Sequence, residues 1–426
     1  MPVATGEMPG AWWSSFGDPV LDALIDSGVT HNVDLRIAAE RVLGSQALRR
    51  ATTAGLFPDI RAEAGTTETR RGTDLGDSAN LGVGATWEPD ISGRLSAAVR
   101  AARADVAASA ADAEAVRLLL IEEIARAYID YRLQRRLIAL NMATVGAQEE
   151  TLRLTRDRFE VGMASRLDIE RAAALVSQTR SEHAVATEAA DAARFRLSYL
   201  LSQTPAAISA RLAGADAIPA ADPLTVLRSP ADVIAARPDV RMAGARYAAS
   251  AARRDGTAAF RLPSLSLSGL VGLDGNGVGA LLDGGTSIAT IAASLVLPVL
   301  DFGRRGAELD AADSALRQSG LEYERAVRGA LQETQTAIVA YLQGQVRERE
   351  LGRAARAARA AAELSDLQYR EGTLSQLEVL DAARTVYQAE RDHARSVADV
   401  SARLVSLYRR MGVAPAPATG GGGSAL

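Results

Sequence analysis

The stretch FEVGMASRLDIERAAALVSQTRSEHA, residues 159–184, returns half a chain later as YREGTLSQLEVLDAARTVYQAERDHA, residues 369–394. Phe159 and Tyr369, Gly162 and Gly372, Ser165 and Ser375, Asp168 and Glu378, and His183 and His393 all stand 210 positions apart. In both copies an aromatic residue, a glycine, a serine and an acid follow in steps of three, and an Ala-rich helical pattern continues from them. One helix–turn–helix is written twice, and such a repeat sets the architecture before any local feature does.

The repeat extends outward on both sides. WEPDISGR at residues 87–94 answers LPVLDFGR at 297–304, and Tyr131 answers Tyr341, again 210 apart. FPDI from Phe57 answers LPSL from Leu262 at an offset of 205, so a length difference of five lies between these anchors. From Leu95 to about Phe159, and from Arg305 to about Tyr369, the pattern is helical and free of Pro; the first run spans roughly 95 Å at the α-helical rise. After each Gly-containing turn a second helix of about 35 residues runs to near Ser202 and Gly412. Val397, Val400, Leu404, Leu407 and Met411 step by three and four, the spacing of a coiled-coil seam.

Composition agrees with long, closely packed helices. The 426 residues are 48% hydrophobic but only 4% aromatic, with Ala supplying much of the apolar count. The formal net charge of −4 is nearly balanced, and all 48 basic residues are Arg; no basic footprint for nucleic acid is present. The absence of Cys excludes disulfides, thiolate nucleophiles and Cys-based metal sites. The opening MPVATGEMPGAWWSSFGDP lacks the basic start and apolar stretch of a signal peptide, so the chain reads as a mature form with its own initiator Met. No stretch is long and apolar enough for a membrane-spanning helix, and a membrane role must use strands.

Strand-like segments are present. LGVGATW sets Leu81, Val83, Ala85 and Trp87 against Gly82, Gly84 and Thr86. LPSLSLSGLVGL sets Leu265, Leu267, Gly269 and Val271 against Ser264, Ser266 and Ser268, and DIRAEAGTT sets Ile60, Ala62 and Ala64 against Asp59, Arg61 and Glu63. TSIATIAASLVLPVL, from Thr286, is less clearly two-faced. Each segment has the dyad alternation and roughly ten-residue length of an outer-membrane barrel strand. The links RRGTDLGDSA (70–79) and DGNGVGALLDGG (274–285) suit exposed loops. Four strands cannot close a barrel, which needs about eight. Either the sheet packs on helices within a soluble fold, or several chains pool their strands. TPAAISARLAGADAIPAADPLTVLRSP (204–230) reads as an excursion along the outside of the helical body, and APAPATGGGGSAL as a disordered tail.

These residues resemble the TolC-like outer-membrane factor family, nearest its NodT/OprM-type efflux lipoprotein subgroup. The resemblance runs from about Trp12 to Gly412. WWSSFGDPVLDALIDSGVTHNVDLRIAAERV is similar to the family's N-terminal segment, ARPDVRMAGARYAA to the opening of its second unit, and YREGTLSQLEVLDAARTVYQAERD to its periplasmic-tip signature. The resemblance implies a mainly α fold with β: a long α-helical coiled-coil barrel plus a β-barrel completed by trimerisation, with an internal twofold repeat. It implies an N-terminal segment and first helix (1–56), a first β-hairpin (57–94), a first helical hairpin (95–203) and an equatorial linker (204–230). A helix opening the second repeat (231–261), a second β-hairpin (262–303), a second helical hairpin (304–412) and the tail (413–426) follow. The subgroup begins with a lipidated Cys, absent here; either it has been removed from this form of the chain or this member is not lipidated. Trp87 and Phe57 are the main candidates for a membrane girdle.

Further expectations follow from the resemblance. The protein is a passive exit duct in the outer membrane of a Gram-negative bacterium, its tunnel projecting into the periplasm. Its partners are two further copies of itself, outer-membrane lipid, a periplasmic adaptor protein and an inner-membrane pump of the RND type. Pro58, Gly93, Pro263 and Gly303 stand at barrel entries and returns. Gly162 and Ser165, with Gly372 and Ser375, form tip turns where the adaptor docks. Glu378 and Asp381, with Asp168, ring a cation-selective entrance closed at rest; in the first unit Arg171 replaces the second acid. The plainer account of acids three apart is a solvated helix face. One His per repeat reads as structural rather than metal-binding, no serine has triad companions, and GLDGNGVG lacks the Lys and helix of a phosphate loop; no cofactor and no catalysis are expected. The alternatives are a soluble coiled-coil scaffold with a small sheet, or a type I secretion duct.

Overall fold

The computed structural model describes residues 4–5, 11–71, 74–214, 217–220, 226–227, 229–283 and 286–413. In chain order the elements are β1 (Ala4–Thr5), a 3-10 turn (Trp12–Phe16), α1 (Pro19–His31), α2 (Val33–Ala54), β2 (Asp59–Arg71), β3 (Asp74–Trp87), α3 (Arg94–Glu160) and α4 (Arg166–Leu201). There follow α5 (Pro205–Leu212), β4 (Val226–Leu227), α6 (Pro230–Ala236), α7 (Pro238–Ala259), β5 (Ser264–Gly275), α8 (Gly277–Leu282), β6 (Thr286–Val296), α9 (Arg304–Arg370) and α10 (Gln376–Arg410). The repeat is visible in the bounds: α3 and α9 are both 67 residues long and begin 210 apart.

The described residues fall into two compact units, one within 1–37, 114–238 and 328–426, the other within 38–113 and 239–327. The first holds the main core. Leu120, Ile121, Ile124 and Tyr128 of α3 pack with Leu197 and Leu201 of α4, Leu404, Val405 and Leu407 of α10, and Leu21, Leu24 and Ile25 of α1. Trp12 stacks on Tyr408 with ring centroids 4.7 Å apart, fastening the N-terminal turn to the end of α10. Asn32 separates α1 from α2; its side chain donates to Leu200 O at 2.8 Å and accepts from Leu35 N. The second unit holds a four-stranded antiparallel sheet in the order β2-β3-β5-β6. There α7 and α9 interlock through a sequence pattern, G-x-x-Y, that both carry: the Tyr323 ring lies over Gly244 and the Tyr247 ring over Gly320. A Cβ at either glycine would stand 3.4 Å from the facing ring, so the glycines bring the two helices into close contact there.

Several expectations need correction. The loop expected over 70–79 is mostly strand: Arg70 and Arg71 end β2 and Asp74–Ala79 begin β3, so these strands run 13 and 14 residues, while 72 and 73 lie outside the described residues. Cross-strand pairing of Arg70 with Leu75 carries the ladder past the polar composition. The 274–285 link begins inside β5 and contains α8. The 204–230 excursion is not wholly external, because α5 buries Ile208 and Leu212 in the main core. One helix over 231–261 is two, α6 and α7, since Pro238 cannot continue the hydrogen bonding and starts a new helix instead. Val413, assigned to the tail, is buried in the core; 414–426 lie outside the described residues.

Candidate functional site: a one-sided sheet and two capped turns

Register decides what the sheet offers. Ile60 lies opposite Ala85, Ala85 opposite Gly269, and Gly269 opposite Ile291. One row further on, Ala62, Val83, Val271 and Ala289 align. Cross-strand partners share a face, so the apolar alternates of all four strands are collected on one side, together with Leu265, Leu267 and Leu295. The other side gathers Asp59, Arg61, Glu63, Thr86, Ser264, Ser266 and Ser268, with Leu270, Ile288 and Val296 as apolar exceptions. The weaker two-facedness of β6 thus persists in the fold. Asp59 and Arg61 form an ion pair. On the polar face Gly82 opposes Gly272 so closely that a Cβ on Gly272 would stand 2.4 Å from Leu81 O. Among the described residues, β2 and β6 each have one edge with no strand partner.

The four sequence-selected junction residues stand where helix and strand meet. Both α2 and α7 close in tight turns, Phe57 N donating to Ala54 O at 3.0 Å and Leu262 N to Ala259 O at 3.0 Å. Pro58 and Pro263 follow directly, where they end helical hydrogen bonding and favour extended backbone. On the return, Gly93 and Gly303 adopt φ of +77° and +91°. Ahead of them sits a pair of acids that the 210-residue offset does not match. Asp90 accepts from Leu95 N at 2.9 Å and Ser96 N at 2.7 Å, and Asp301 accepts from Gly303 N at 3.1 Å and Arg305 N at 3.3 Å. They differ by 211 rather than 210, which hid the correspondence. Burial alone would raise both carboxyls, but the hydrogen bonds at the helix starts outweigh it and hold both below the ordinary Asp range.

The two tip turns are near-identical. Gly162 N donates to Phe159 O at 3.0 Å and Met163 N to Arg158 O at 2.8 Å; Gly372 N donates to Tyr369 O at 3.1 Å and Thr373 N to Gln368 O at 2.9 Å. Both are Schellman endings, with Gly at φ +76° and +78°. Each next helix opens with a capping box. Ser165 N and Oγ donate to Asp168 Oδ2 at 3.0 and 2.7 Å, and Ser375 N and Oγ donate to Glu378 Oε2 at 2.9 and 2.8 Å. The Ser165 hydroxyl chiefly lowers the Asp168 pKa; the Ser375 N–H, then its hydroxyl, lowers that of Glu378. The S-x-x-[DE] spacing was in the sequence and could have been read as a cap. Asp381 takes no part in it; Arg384 lies 3.9 Å away.

The fold sets the two turns side by side. The Arg158 guanidinium lies 4.1 Å from the Tyr369 ring centroid, and Gln376 Nε2 donates to Thr155 Oγ1. Val161, Met163, Leu167, Leu364, Leu367 and Leu377 leave an exposed apolar surface around them. Farther along the helices, the Tyr387 hydroxyl is 2.6 Å from both Asn141 Oδ1 and Glu182 Oε2, and Arg391 pairs with Glu182. His393 Nε2 lies 3.2 Å from Glu348 Oε1. Among the described residues no group of three His, Cys, Asp or Glu could hold a metal ion, and no described helix is long and apolar enough to cross a membrane.

The profile of the family described as "Outer membrane efflux protein" matches residues 24–203 and 230–413. Nodulation protein T of Rhizobium leguminosarum bv. trifolii is 28% identical over 393 residues, covering 91% of this chain and 84% of that protein. The pyoverdine export outer membrane protein OpmQ of Pseudomonas aeruginosa is 29% identical over 424 residues, covering 94% and 85%. Among solved structures, the outer-membrane channel OprN superposes with a TM-score of 0.92 at 29% identity, covering 98% of this chain and 95% of that one. The Campylobacter jejuni CmeC outer membrane channel superposes at 0.91 and 18% identity, covering 97% and 90%, a likeness of fold alone.

Proposed function

Because the chain belongs to the outer membrane efflux protein family, we propose that this channel is the exit duct of a tripartite pump, working as a trimer with a periplasmic adaptor and an inner-membrane transporter of the RND type. The protein is an outer-membrane efflux channel of a Gram-negative bacterium. The observation that carries the finer reading is the sheet, apolar on one face and, among the described residues, unpaired at both outer edges. Unpaired edges are a liability that a closed barrel removes. Three copies of four strands give twelve, enough to close a barrel with the apolar face toward lipid.

The adaptor docks at the two tip turns, a reading supported by their shared geometry and the exposed apolar side chains around them. Asp381, free of the capping box, with Glu378 and the first-unit Asp168, lines the periplasmic entrance. Two carboxylates about 6 Å apart repel by about 3 kcal/mol at an effective dielectric near 20, so such a ring holds cations or protons and rejects anions. The cargo is small-molecule, in keeping with a relative named for pyoverdine export, and transport is passive because the driving force comes from the partner pump. Native mass spectrometry of the detergent-extracted protein tests the assembly. A trimer is expected; a monomer, or recovery in the soluble fraction, would favour the coiled-coil scaffold instead.

A further inference from the structure

The segment joining β6 to α9, LPVLDFGR at residues 297–304, presents an unusual amount of apolar surface. Val299, Leu300 and Phe302 are 89%, 74% and 94% exposed. Phe302 also sits at φ +52°, in the left-handed region where its Cβ crowds the following carbonyl and only glycine is comfortable. A strained backbone that places a phenyl ring in water has no benefit for folding, and such strain points to an imposed role. The matching segment of the first repeat shares the acid that caps the following helix, Asp90 there and Asp301 here, but differs around it. There Glu88 pairs with Arg94 at 2.7 Å, Asp90 caps α3, and Ser92 stands where Phe302 does.

We propose that the side chains of Leu297, Val299, Leu300 and Phe302 form an anchor seated in the periplasmic leaflet of the outer membrane, contributed once per chain by the second repeat alone. The inference rests on the barrel reading above, in which the face bearing Ile291 and Leu295 meets lipid. Ile291 is 92% exposed on that face, and the alternation continues through Leu297 and Val299 without a polar interruption. The apolar strip therefore runs from the lipid-facing strand as far as Leu300, where Asp301 turns back to cap α9. A second copy of the chain is not the occupant for which this surface is placed. A neighbouring strand would join β6 at its free edge, in the plane of the sheet and through backbone hydrogen bonds. Side chains of Ile291 and Leu295 stand perpendicular to that plane, and Val299, Leu300 and Phe302 lie past the strand's end at Val296, beyond the reach of that edge pairing. Phe302, Leu300 and Val299 offer lipid tails apolar area, the acid among them, Asp301, being taken up by Gly303 N, Arg305 N and the Arg305 guanidinium. By contrast Glu88, where the second repeat has Pro298, keeps the first-repeat return in water or headgroups.

The chain has no Cys, so single nitroxide labels can be attached at Phe302→Cys, Val299→Cys, Ser92→Cys and Ile291→Cys in the assembled protein in phosphatidylethanolamine–phosphatidylglycerol vesicles. Electron paramagnetic resonance then reads collisions with lipid-soluble oxygen and with a water-soluble nickel chelate. Oxygen should dominate at 299, 302 and 291, and the chelate at 92. Chelate accessibility at 299 or 302, or protection from both reagents under a neighbouring copy, would overturn the anchor. The label at 291 separates the two levels of inference: if it too avoids lipid, the barrel reading itself fails, whereas lipid at 291 with water at 302 removes only the anchor.

Discussion

At the scale of single residues the main core encloses a charge. Arg132 is 1% exposed, and its Nε and Nη2 donate to the Tyr128 hydroxyl at 2.8 and 2.7 Å, while that hydroxyl donates to Asp18 Oδ2 at 2.7 Å. Burial, then the hydrogen bond to Asp18, pushes the Tyr128 phenol up, so it stays protonated and can relay between cation and anion. Buried charge is tolerated only when hydrogen-bonded. Tyr128→Phe should cost about 1–3 kcal/mol by leaving the guanidinium unsatisfied, read as a lower unfolding temperature in detergent with unchanged oligomeric state. At the tips, Asp168 and Glu378 both have lowered pKa values in the folded state. The caps therefore contribute stability above the ordinary carboxyl range, and that stability is lost as pH falls through the folded values. Amide exchange, corrected for intrinsic rate, should show protected starts of α4 and α10 at pH 7 and loss of that protection once pH is taken below the ordinary carboxyl range. Asp168→Asn should remove the pH dependence in α4 alone.

At the scale of elements, turns and strands are limited by glycine for two different reasons. At Gly372 an added Cβ would meet nothing within 4 Å, so only the backbone at φ +78° resists a side chain. Gly372→Val should strain the turn by roughly 1–2 kcal/mol and abolish efflux while the trimer persists, checked by drug susceptibility beside native mass spectrometry. Unchanged susceptibility would place adaptor docking elsewhere. At Gly272 the obstacle is contact: a Cβ would lie 2.4 Å from Leu81 O and 2.7 Å from Gly82 Cα, both backbone atoms that cannot turn aside. Gly272→Ala should pry β3 from β5 and lower the yield of heat-resistant trimer on gels; Gly84→Ala, with 3.7 Å of clearance, should not. Helix lengths, turn positions and the strand alternation were legible because period and punctuation are local. The full length of β2 and β3 was not, because cross-strand pairing overrides the polar composition of residues 70–79.

At the scale of the whole molecule, Glu378→Gln with Asp381→Asn should lower the cation selectivity of the channel in planar bilayers and relax its entrance. Conductance and selectivity equal to the parent channel would make these acids a cap and a surface residue and nothing more. The sequence alone determined the duplication, the helix–turn–helix units, the one-sided strands and hence the family, since each is written as a period or a spacing along the chain. It could not say that four separate alternations would fall on one face, because a one-residue slip in any pairing would have reversed them. Nor could it find Asp18 beside Tyr128, 110 positions away, the fold of α5 into the core, or the outward Phe302. Those depend on which surfaces meet after the long helices have packed, and contact between distant segments leaves no period in the sequence to read.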